Sequence, residues 1–245
     1  MKIFLAGTQG DNGRLLSNNK EKLNLLESFY YLKDEHMSIY NNHTFLLDSG
    51  AFTFMNNKKS TINWNDYIDK YARFINKHNI QHFFELDIDS IVGIKEVERL
   101  RNKLEVLTNK QSIPVWHKSR GLEYWKKICK EYEYIAIGGI VTQEIKRTQY
   151  DVFTPLLKIA KENNAKVHGL GFTNLEGLKK YKFYSVDSTS WISGQKFMQF
   201  YTFNGSSLIK SNLSKENKRG IDPKGRLKYN FDEWVKFSKY AENNL

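Results

Sequence analysis

Short apolar runs recur along the chain, separated by longer segments in which apolar residues return every three or four positions. The runs are Lys2–Gly7, Thr44–Leu47, Gln81–Ile88, Ser112–Trp116, Tyr134–Ile140, Lys166–Leu170 and Phe183–Val186, with an eighth expected near Phe200–Phe203 or Ser207–Ile209. They are rich in Ile, Val, Phe or Tyr, and most end near Gly, Asp or Ser. That is the composition of a strand and its exit. Helical spacing runs through Trp64–His78, where Tyr67, Ile68, Tyr71, Phe74 and Ile75 recur, and through Ile91–Leu107. Leu122–Tyr132, Val152–Asn163, Asn174–Tyr181 and Phe231–Ala241 complete the set. Asn174 and Asn230 stand where helix N-caps are expected.

Alternation of this kind predicts an α/β fold on a parallel sheet. A closed (β/α)8 barrel of the TIM type and an open doubly wound sheet both fit. The barrel is favoured because polar residues or glycines end nearly every run: Asp48, Asp87, His117, Gly138-Gly139, His168 and Asp187. Barrel enzymes assemble their sites on that rim, and ~250 residues is their usual size. No repeat or linker divides the 245 residues. A single domain over 1–245 is expected, with a basic loop or flap near 210–228 and a C-terminal helix near 231–243.

Composition removes several classes. A chain that is 40% hydrophobic with 15 Gly and 3 Pro is not disordered. No run approaches the roughly 18 apolar residues of a membrane span, and Met1–Gly7 passes straight into polar Thr8–Asn12 without a signal-peptide core. A cytoplasmic protein is expected, in the host cytoplasm if the chain is viral. The single cysteine, Cys129, excludes an internal disulfide and a multi-cysteine zinc site; on the apolar face of a helix it reads as a buried structural residue. The charge of +11 suits a polyanion, because phosphate contacts release counterions. Part of it reads as codon bias, since Lys outnumbers Arg and Asn is abundant.

The strand ends carry the candidate chemistry. Leu46-Leu47-Asp48-Ser49-Gly50 places a carboxylate after an apolar run and before a tight turn. Phe83-Phe84-Glu85-Leu86-Asp87-Ile88-Asp89 alternates with period two, so its acids are expected on one strand face. Tyr184-Ser185-Val186-Asp187 again reaches an acid. Three carboxylates converging at a barrel mouth suit chemistry at an anomeric carbon, one attacking or stabilising an oxocarbenium-like centre and another moving the leaving-group proton. The plainer alternative is that each Asp caps a helix or turn. Asp87 and Asp89 with His117 and His168 would suit a divalent ion, although no HxH, HExxH or CxxC motif accompanies them. Gly7–Gly13 lacks both the Walker lysine and the dinucleotide spacing. Gly138-Gly139 and His168-Gly169-Leu170-Gly171 would let a flat ligand approach the backbone, or simply form tight turns.

In order, Asp48-Ser49-Gly50-Ala51-Phe52, Asp87, Gly138-Gly139 with Glu144, His168-Gly169-Leu170-Gly171 and Val186-Asp187 resemble the guanine transglycosylases, from about Phe45 to Ile209. Those enzymes exchange guanine for a 7-deazaguanine in tRNA, or in DNA among viral and bacterial relatives. The resemblance implies a (β/α)8 barrel in which Asp187 is the nucleophile at C1′ and Asp48 the acid/base serving both bases. It implies that Phe52 stacks on the base, and that Asp87, or Asp89 in the other register, reads the guanine-type N–H groups. Gly138, Gly139 and Ile140 would receive the base carbonyl, Glu144 would steady their turn, and Ser49, His168 and Gly169 would complete the pocket. No cofactor is implied. The implied partners are DNA, or tRNA, and a free 7-deazaguanine base of the preQ0/preQ1 type; membranes are not among them, and a homodimer is left open.

Three departures bear on the substrate. One cysteine cannot build the family's zinc site, so the zinc subdomain is missing. His117 stands where the family has a glutamine. The chain is also much shorter than the tRNA enzymes. Together these favour the compact DNA-modifying relatives. Lys58, Lys59, Lys118, Arg120, Lys210, Lys218 and Arg219 are the candidate phosphate contacts, and Trp116 or Trp191 could stack on a flanking base or sit in the core. A catalytically silent nucleic-acid-binding barrel and a metal-dependent hydrolase are the rival classes.

Overall fold

The computed structural model describes residues 1–19, 21–56, 62–192, 197–212 and 222–245. Seven strands form one parallel sheet: β1 (Lys2–Ala6), β2 (Asn24–Ser28), β3 (Thr44–Asp48), β4 (Val115–Trp116), β5 (Tyr134–Ile137), β6 (Lys166–Gly169) and β7 (Ser185–Ser188). Their order is β3-β2-β1-β7-β6-β5-β4. The sheet curls inside a set of helices: α1 (Gly13–Ser17), α2 (Ala51–Asn56), α3 (Trp64–Lys77), α4 (Asp89–Val92), α5 (Ile94–Thr108), α6 (Gly121–Glu131), α7 (Phe153–Glu162), α8 (Leu175–Lys180) and α9 (Pro223–Asn244). The architecture is α/β and TIM-barrel-like. Strand alternation divides the core into two layers. Phe4, Ala6, Leu26, Leu46, Phe84, Val115 and Ala136 pack together inside the curl. Leu5, Leu25, Leu47, Ile137 and Val186 face outward onto helical residues such as Tyr71, Leu100 and Trp125. Because Leu46 points inward and Leu47 outward, Asp48 points inward again.

Among the described residues the sheet has seven strands, not eight. The edge strands β3 and β4 are linked through Phe83–Phe84, which makes isolated parallel bridges to Leu47 on one side and Ile113 on the other. The ladder stops at Glu85. Its N–H donates to Ile113 O at 3.0 Å, but the next donor, Val115 N–H, goes to the Glu85 side chain at 2.9 Å instead of the backbone. The chain then turns, Ile88 N–H donating to Leu86 O at 3.0 Å. Glu85, Asp87 and Asp89 are therefore not spread along one extended strand face.

The last two apolar runs are not a barrel strand either. They form a separate antiparallel hairpin, β8 (Gln199–Phe203) and β9 (Leu208–Asn212). The hairpin packs on α9, with the Tyr201 and Trp234 rings 5.5 Å apart. Helix α9 starts earlier than expected, at Pro223, capped by Asp222, whose carboxylate accepts from the N–H groups of Lys224 and Gly225. Asn230 is thus no cap. It is buried inside the helix, where its Oδ1 accepts from Tyr201 N–H at 3.0 Å and its Nδ2 donates to Gln199 O at 2.9 Å. Asn174 does cap α8, accepting from Gly177 N–H at 2.6 Å. Lys58, Lys59, Lys218, Arg219 and residues 213–221 of the expected basic loop lie outside the described residues, while Lys210 is on β9 and 223–228 are helix rather than loop. Among the described residues no helix is long and apolar enough to cross a membrane.

Candidate active site

A pocket of about 530 Å³ opens at the C-terminal ends of the strands. Asp48, Asp87, His117, Gly138, Gly139 and Asp187 all line it, and its described lining includes no Lys or Arg. Residues separated by as many as 139 positions, 48 to 187, meet here because each lies at or just beyond the C-terminal end of a parallel strand or, for Asp87, of the bridged Phe83–Phe84 segment.

Asp187 ends the inward row of β7. Its Oδ1 accepts from Gly171 N–H at 2.7 Å and lies 3.1 Å from His168 Nε2. His168 is fully buried, with its Nδ1 2.7 Å from Ser185 Oγ, which in turn lies 2.6 Å from Tyr134 Oη. One donor direction satisfies every member: Tyr134 to Ser185, Ser185 to His168, His168 to Asp187. Such a chain fixes the carboxylate plane and polarises each bond along it. Both fixed contacts fall on Oδ1, leaving Oδ2 for a ligand.

Asp87 is held differently. Arg120 Nη2–H donates to its Oδ1 at 2.9 Å and His117 Nε2 lies 2.7 Å from its Oδ2. His117 Nδ1 lies 2.9 Å from Glu144 Oε2, and Glu144 Oε1 also accepts from Ser119 N–H. Burial disfavours a charge on His117, but the hydrogen bond and charge of Asp87, with Glu144 beside it, outweigh burial and raise its pKa to about 9. At neutral pH it is an imidazolium donating to both carboxylates. Arg120 also donates through Nη1 to Glu85 Oε1 at 2.8 Å and to Val115 O, and through Nε to Asp89 Oδ2 at 2.9 Å. Its side chain is 2% exposed. Burial alone would raise the Asp89 pKa, yet the Arg120 hydrogen bond and charge and the His117 charge lower it. The three acids of the 83–89 segment thus share a guanidinium rather than a strand face.

That guanidinium bears on the metal reading. Asp87, Asp89 and His117 do come within reach of one ion. Arg120 already bridges the two carboxylates, and a protonated His117 offers no lone pair. His168, the expected fourth ligand, is committed to Asp187 and Ser185 instead.

Among the described residues Asp48 has no cation partner of its own. Its Oδ2 accepts from Gly50 N–H at 3.0 Å, at a turn that requires the positive φ of Gly50 (+84°). Burial, and then the charges of Asp187 and Asp87, push its pKa up to about 6 against the Gly50 and Ser28 hydrogen bonds. The folded state therefore holds this proton more tightly than the unfolded chain, and folding is penalised as pH rises from 3.8 to about 6. Asp48→Asn escapes the penalty and keeps an acceptor for Gly50. It is expected to be more stable than the wild type at pH 8, by at most about 3 kcal/mol, with the advantage shrinking toward pH 4. Thermal melts at the two pH values check this; an equal offset at both would contradict it.

Gly138 and Gly139 serve the site's own side chains. A Cβ at Gly138 would lie 2.7 Å from His117 Cε1 and 2.9 Å from Val115 Cγ1, and one at Gly139, where φ is +78°, would lie 2.8 Å from Glu144 Oε2. His117 cannot step aside without releasing Asp87 or Glu144. Gly138→Ala is expected to cost about 1–3 kcal/mol and to lower the His117 pKa, measurable by denaturant melts and by NMR titration of the ring.

The remaining expected residues stand behind the pocket. Ser49 is fully buried, its carbonyl accepting from Tyr67 Oη–H at 2.6 Å. Ile140, Glu144, His168 and Gly169 are absent from the described lining. Asp89 is too, so Asp87 is the member of that pair which lines the pocket. Phe52 lies on α2, and its side chain is outside the described residues. Arg120, expected as a phosphate contact, is instead a buried organiser of carboxylates, whereas Lys118 and Lys210 are exposed. Trp116 and Trp191 are core residues, donating to Gly121 O and Ala6 O. Cys129 is buried, its thiol pushed up to about 12 by burial.

No protein-family model matches the chain, and no curated protein matches it. Solved structures do. The carboxyl transferase domain of Rhizobium etli pyruvate carboxylase with 3-bromopyruvate is 16% identical at a TM-score of 0.51, covering 98% of this chain and 48% of that one. The same domain with 3-hydroxypyruvate gives 16% identity, the same coverages and a TM-score of 0.46. The chain spans about half the length of those structures, and at this identity the first likeness shows the fold alone.

Sequence reasoning missed β2, and with it three features. Tyr31 and Ser28 line the pocket. Glu27 is 1% exposed and accepts from Thr8 N–H at 2.5 Å and from its hydroxyl, with its pKa raised to about 7 by burial against those bonds. It too borders the pocket, but its Oε1 is taken up by Thr8 and holds the loop after β1. The signal was available: Leu25-Leu26-Glu27-Ser28 repeats the pattern of Leu46-Leu47-Asp48-Ser49. The register pairs Ser28, not Glu27, with Asp48, so the two acids are one position out of step in the sheet.

Proposed function

We propose that the chain is a base-exchange transglycosylase that replaces guanine in DNA with a 7-deazaguanine derivative, through a covalent intermediate on Asp187. The observation that carries the reading is the convergence of Asp48, Asp87 and Asp187 with Gly138-Gly139 in one pocket whose described lining has no Lys or Arg. Such a pocket favours a neutral, N–H-rich ligand and a reaction centre that becomes positive. It suits neither a phosphate nor a small carboxylate such as 3-bromopyruvate. The links through Phe83–Phe84 support reading the curled sheet as a closed (β/α)8 barrel.

In this reading Asp87, held by Arg120 and His117, accepts from the guanine ring N–H and amino groups. Both His117 nitrogens are engaged, so His117 tunes Asp87 rather than touching the base. Oδ2 of Asp187 attacks C1′, the C1′–N9 bond breaks, and its electron pair leaves with guanine. The Asp48 proton neutralises the departing base, and a carboxyl near pKa 6 suits a group that must give and take a proton near neutrality. The incoming base surrenders its proton to Asp48, its ring nitrogen forms the new bond to C1′, and Asp187 is released as carboxylate. Bond energy is conserved across the exchange, so no cofactor takes part.

The test is release of labelled guanine from duplex DNA, single-stranded DNA and unmodified tRNA, with a panel of free 7-deazaguanines. Release from DNA supports the reading. Release from tRNA alone would move the activity to that polymer, and release from none would overturn it.

A further inference from the structure

The pocket has two unlike rims. After β2 the chain enters a tight turn in which the N–H groups of Tyr31 and Leu32 both donate to Ser28 O, at 3.1 and 3.2 Å. The turn presents Tyr30 and Tyr31 to solvent, 45% and 51% exposed, their rings 5.0 Å apart and nearly perpendicular. Tyr31 lines the pocket. Tyr30 is braced edge-on by Phe54 at 5.3 Å, and Phe54 rests on Trp64 and Tyr67. A Cβ at Gly50 would come within 2.8 Å of Tyr30 Cβ, so the turn that carries Asp48 and the turn that carries the tyrosines interlock. Two large aromatics are thus held at the mouth without being buried.

Four places away in the sheet lies β5, and its exit loop is basic. Lys146 and Arg147 line a second, polar hollow of about 470 Å³ that shares Val141, Gly171 and Thr173 with the first. The loop of exposed Lys118 is tied to the same side, because Ser119 N–H donates to Glu144. Cations therefore face aromatics across a pocket of carboxylates. A phosphate is repelled from the interior and welcomed at this edge, while a base finds ring faces at the other. A single nucleotide strand carries both groups in the required alternation.

We propose that this rim binds an unpaired DNA strand, the base beside the exchanged guanine stacking on Tyr31 and Tyr30 and the backbone phosphates lying on Lys146 and Arg147. The identity of the base in the pocket and the choice of DNA over RNA rest on the transglycosylase reading; the platform for an unpaired strand does not. A paired duplex keeps its bases stacked on one another and offers the tyrosines nothing, so single strands are the preferred form.

The test is fluorescence anisotropy with a labelled single-stranded DNA, its duplex and an RNA of the same sequence. The wild type is expected to bind the single-stranded DNA most tightly. Tyr30→Ala/Tyr31→Ala is expected to weaken it about tenfold or more, whereas Tyr30→Phe/Tyr31→Phe, which keeps the ring faces, binds near the wild-type level. Lys146→Ala/Arg147→Ala is expected to reduce the slope of log affinity against log salt by about 0.7 for each phosphate no longer neutralised. Unchanged binding in the alanine pair, its melting temperature being intact, would overturn the platform even if base exchange is observed. Tighter binding to duplex would overturn it as well, and tighter binding to RNA would overturn the assignment to DNA. Ring-dependent binding without any exchange would keep the platform and remove the transglycosylase reading.

Discussion

Asp187→Asn is expected to abolish base exchange, by on the order of 10⁴-fold or more in kcat. An amide is a poor nucleophile toward C1′ and cannot form the acyl-linked sugar that holds the site while the bases change places. The fold should tolerate the change. The substituted amide keeps an oxygen for Gly171 N–H and His168, the two contacts that Oδ1 of Asp187 makes now. A melting temperature within a few degrees of the wild type, together with abolished exchange, identifies a chemical role. If Asp187 only capped the Gly171 turn, the same variant would keep its activity. Chemistry and folding separate at this position because the fixed contacts use one oxygen and leave the other free.

The largest effect on stability is expected at Arg120. Arg120→Met strips the shared cation from Glu85, Asp87 and Asp89 at once. Glu85 is fully buried and retains Arg101 at 2.9 Å, but Asp87 and Asp89 are left beside each other and His117. Breaking a buried ion network from one side costs about 3–5 kcal/mol, which for a chain of this size is roughly 10 °C in melting temperature. The sign of the pH dependence follows from Asp89. Its pKa is lowered in the fold, so its contribution is present above the unfolded carboxylate range and lost as pH falls through the folded value. The deficit of Arg120→Met should therefore be full from pH 8 down to about pH 5 and shrink as pH falls below 3.8. Arg120→Lys recovers only part, because a single ammonium cannot serve acceptors at Nε, Nη1 and Nη2 together. Melts across that pH range decide the matter; a deficit independent of pH would mean that Arg120 acts by packing alone.

Much of the site can be read from strand exits. Asp48, Asp87, His117, Gly138-Gly139 and Asp187 each follow an apolar run, and parallel strands bring all such exits to one end of a sheet. The roles behind the pocket were less legible, for physical reasons. Lys118-Ser119-Arg120-Gly121 looks like a basic surface turn, and nothing local distinguishes the exposed Lys118 from the buried Arg120, whose acidic partners lie more than 30 residues away. Leu25-Leu26-Glu27-Ser28 and Leu46-Leu47-Asp48-Ser49 are near repeats, yet only strand register decides that Ser28 stands opposite Asp48 while Glu27 is held by Thr8. Asn230 resembles a cap because an apolar stretch follows it, while its amide is claimed by a hairpin about 30 residues upstream. The eighth strand fails at Glu85, where a side chain competes for a ladder hydrogen bond, and composition carries no trace of that competition.

The covalent step on Asp187 is open to intact-mass analysis after the protein is mixed with a guanine-containing DNA strand, without acceptor base, and then denatured. The expected species is protein plus strand minus one guanine, mapped by peptide digestion to Asp187 and missing from Asp187→Asn. Guanine release with no adduct, or an adduct on another residue, would contradict it.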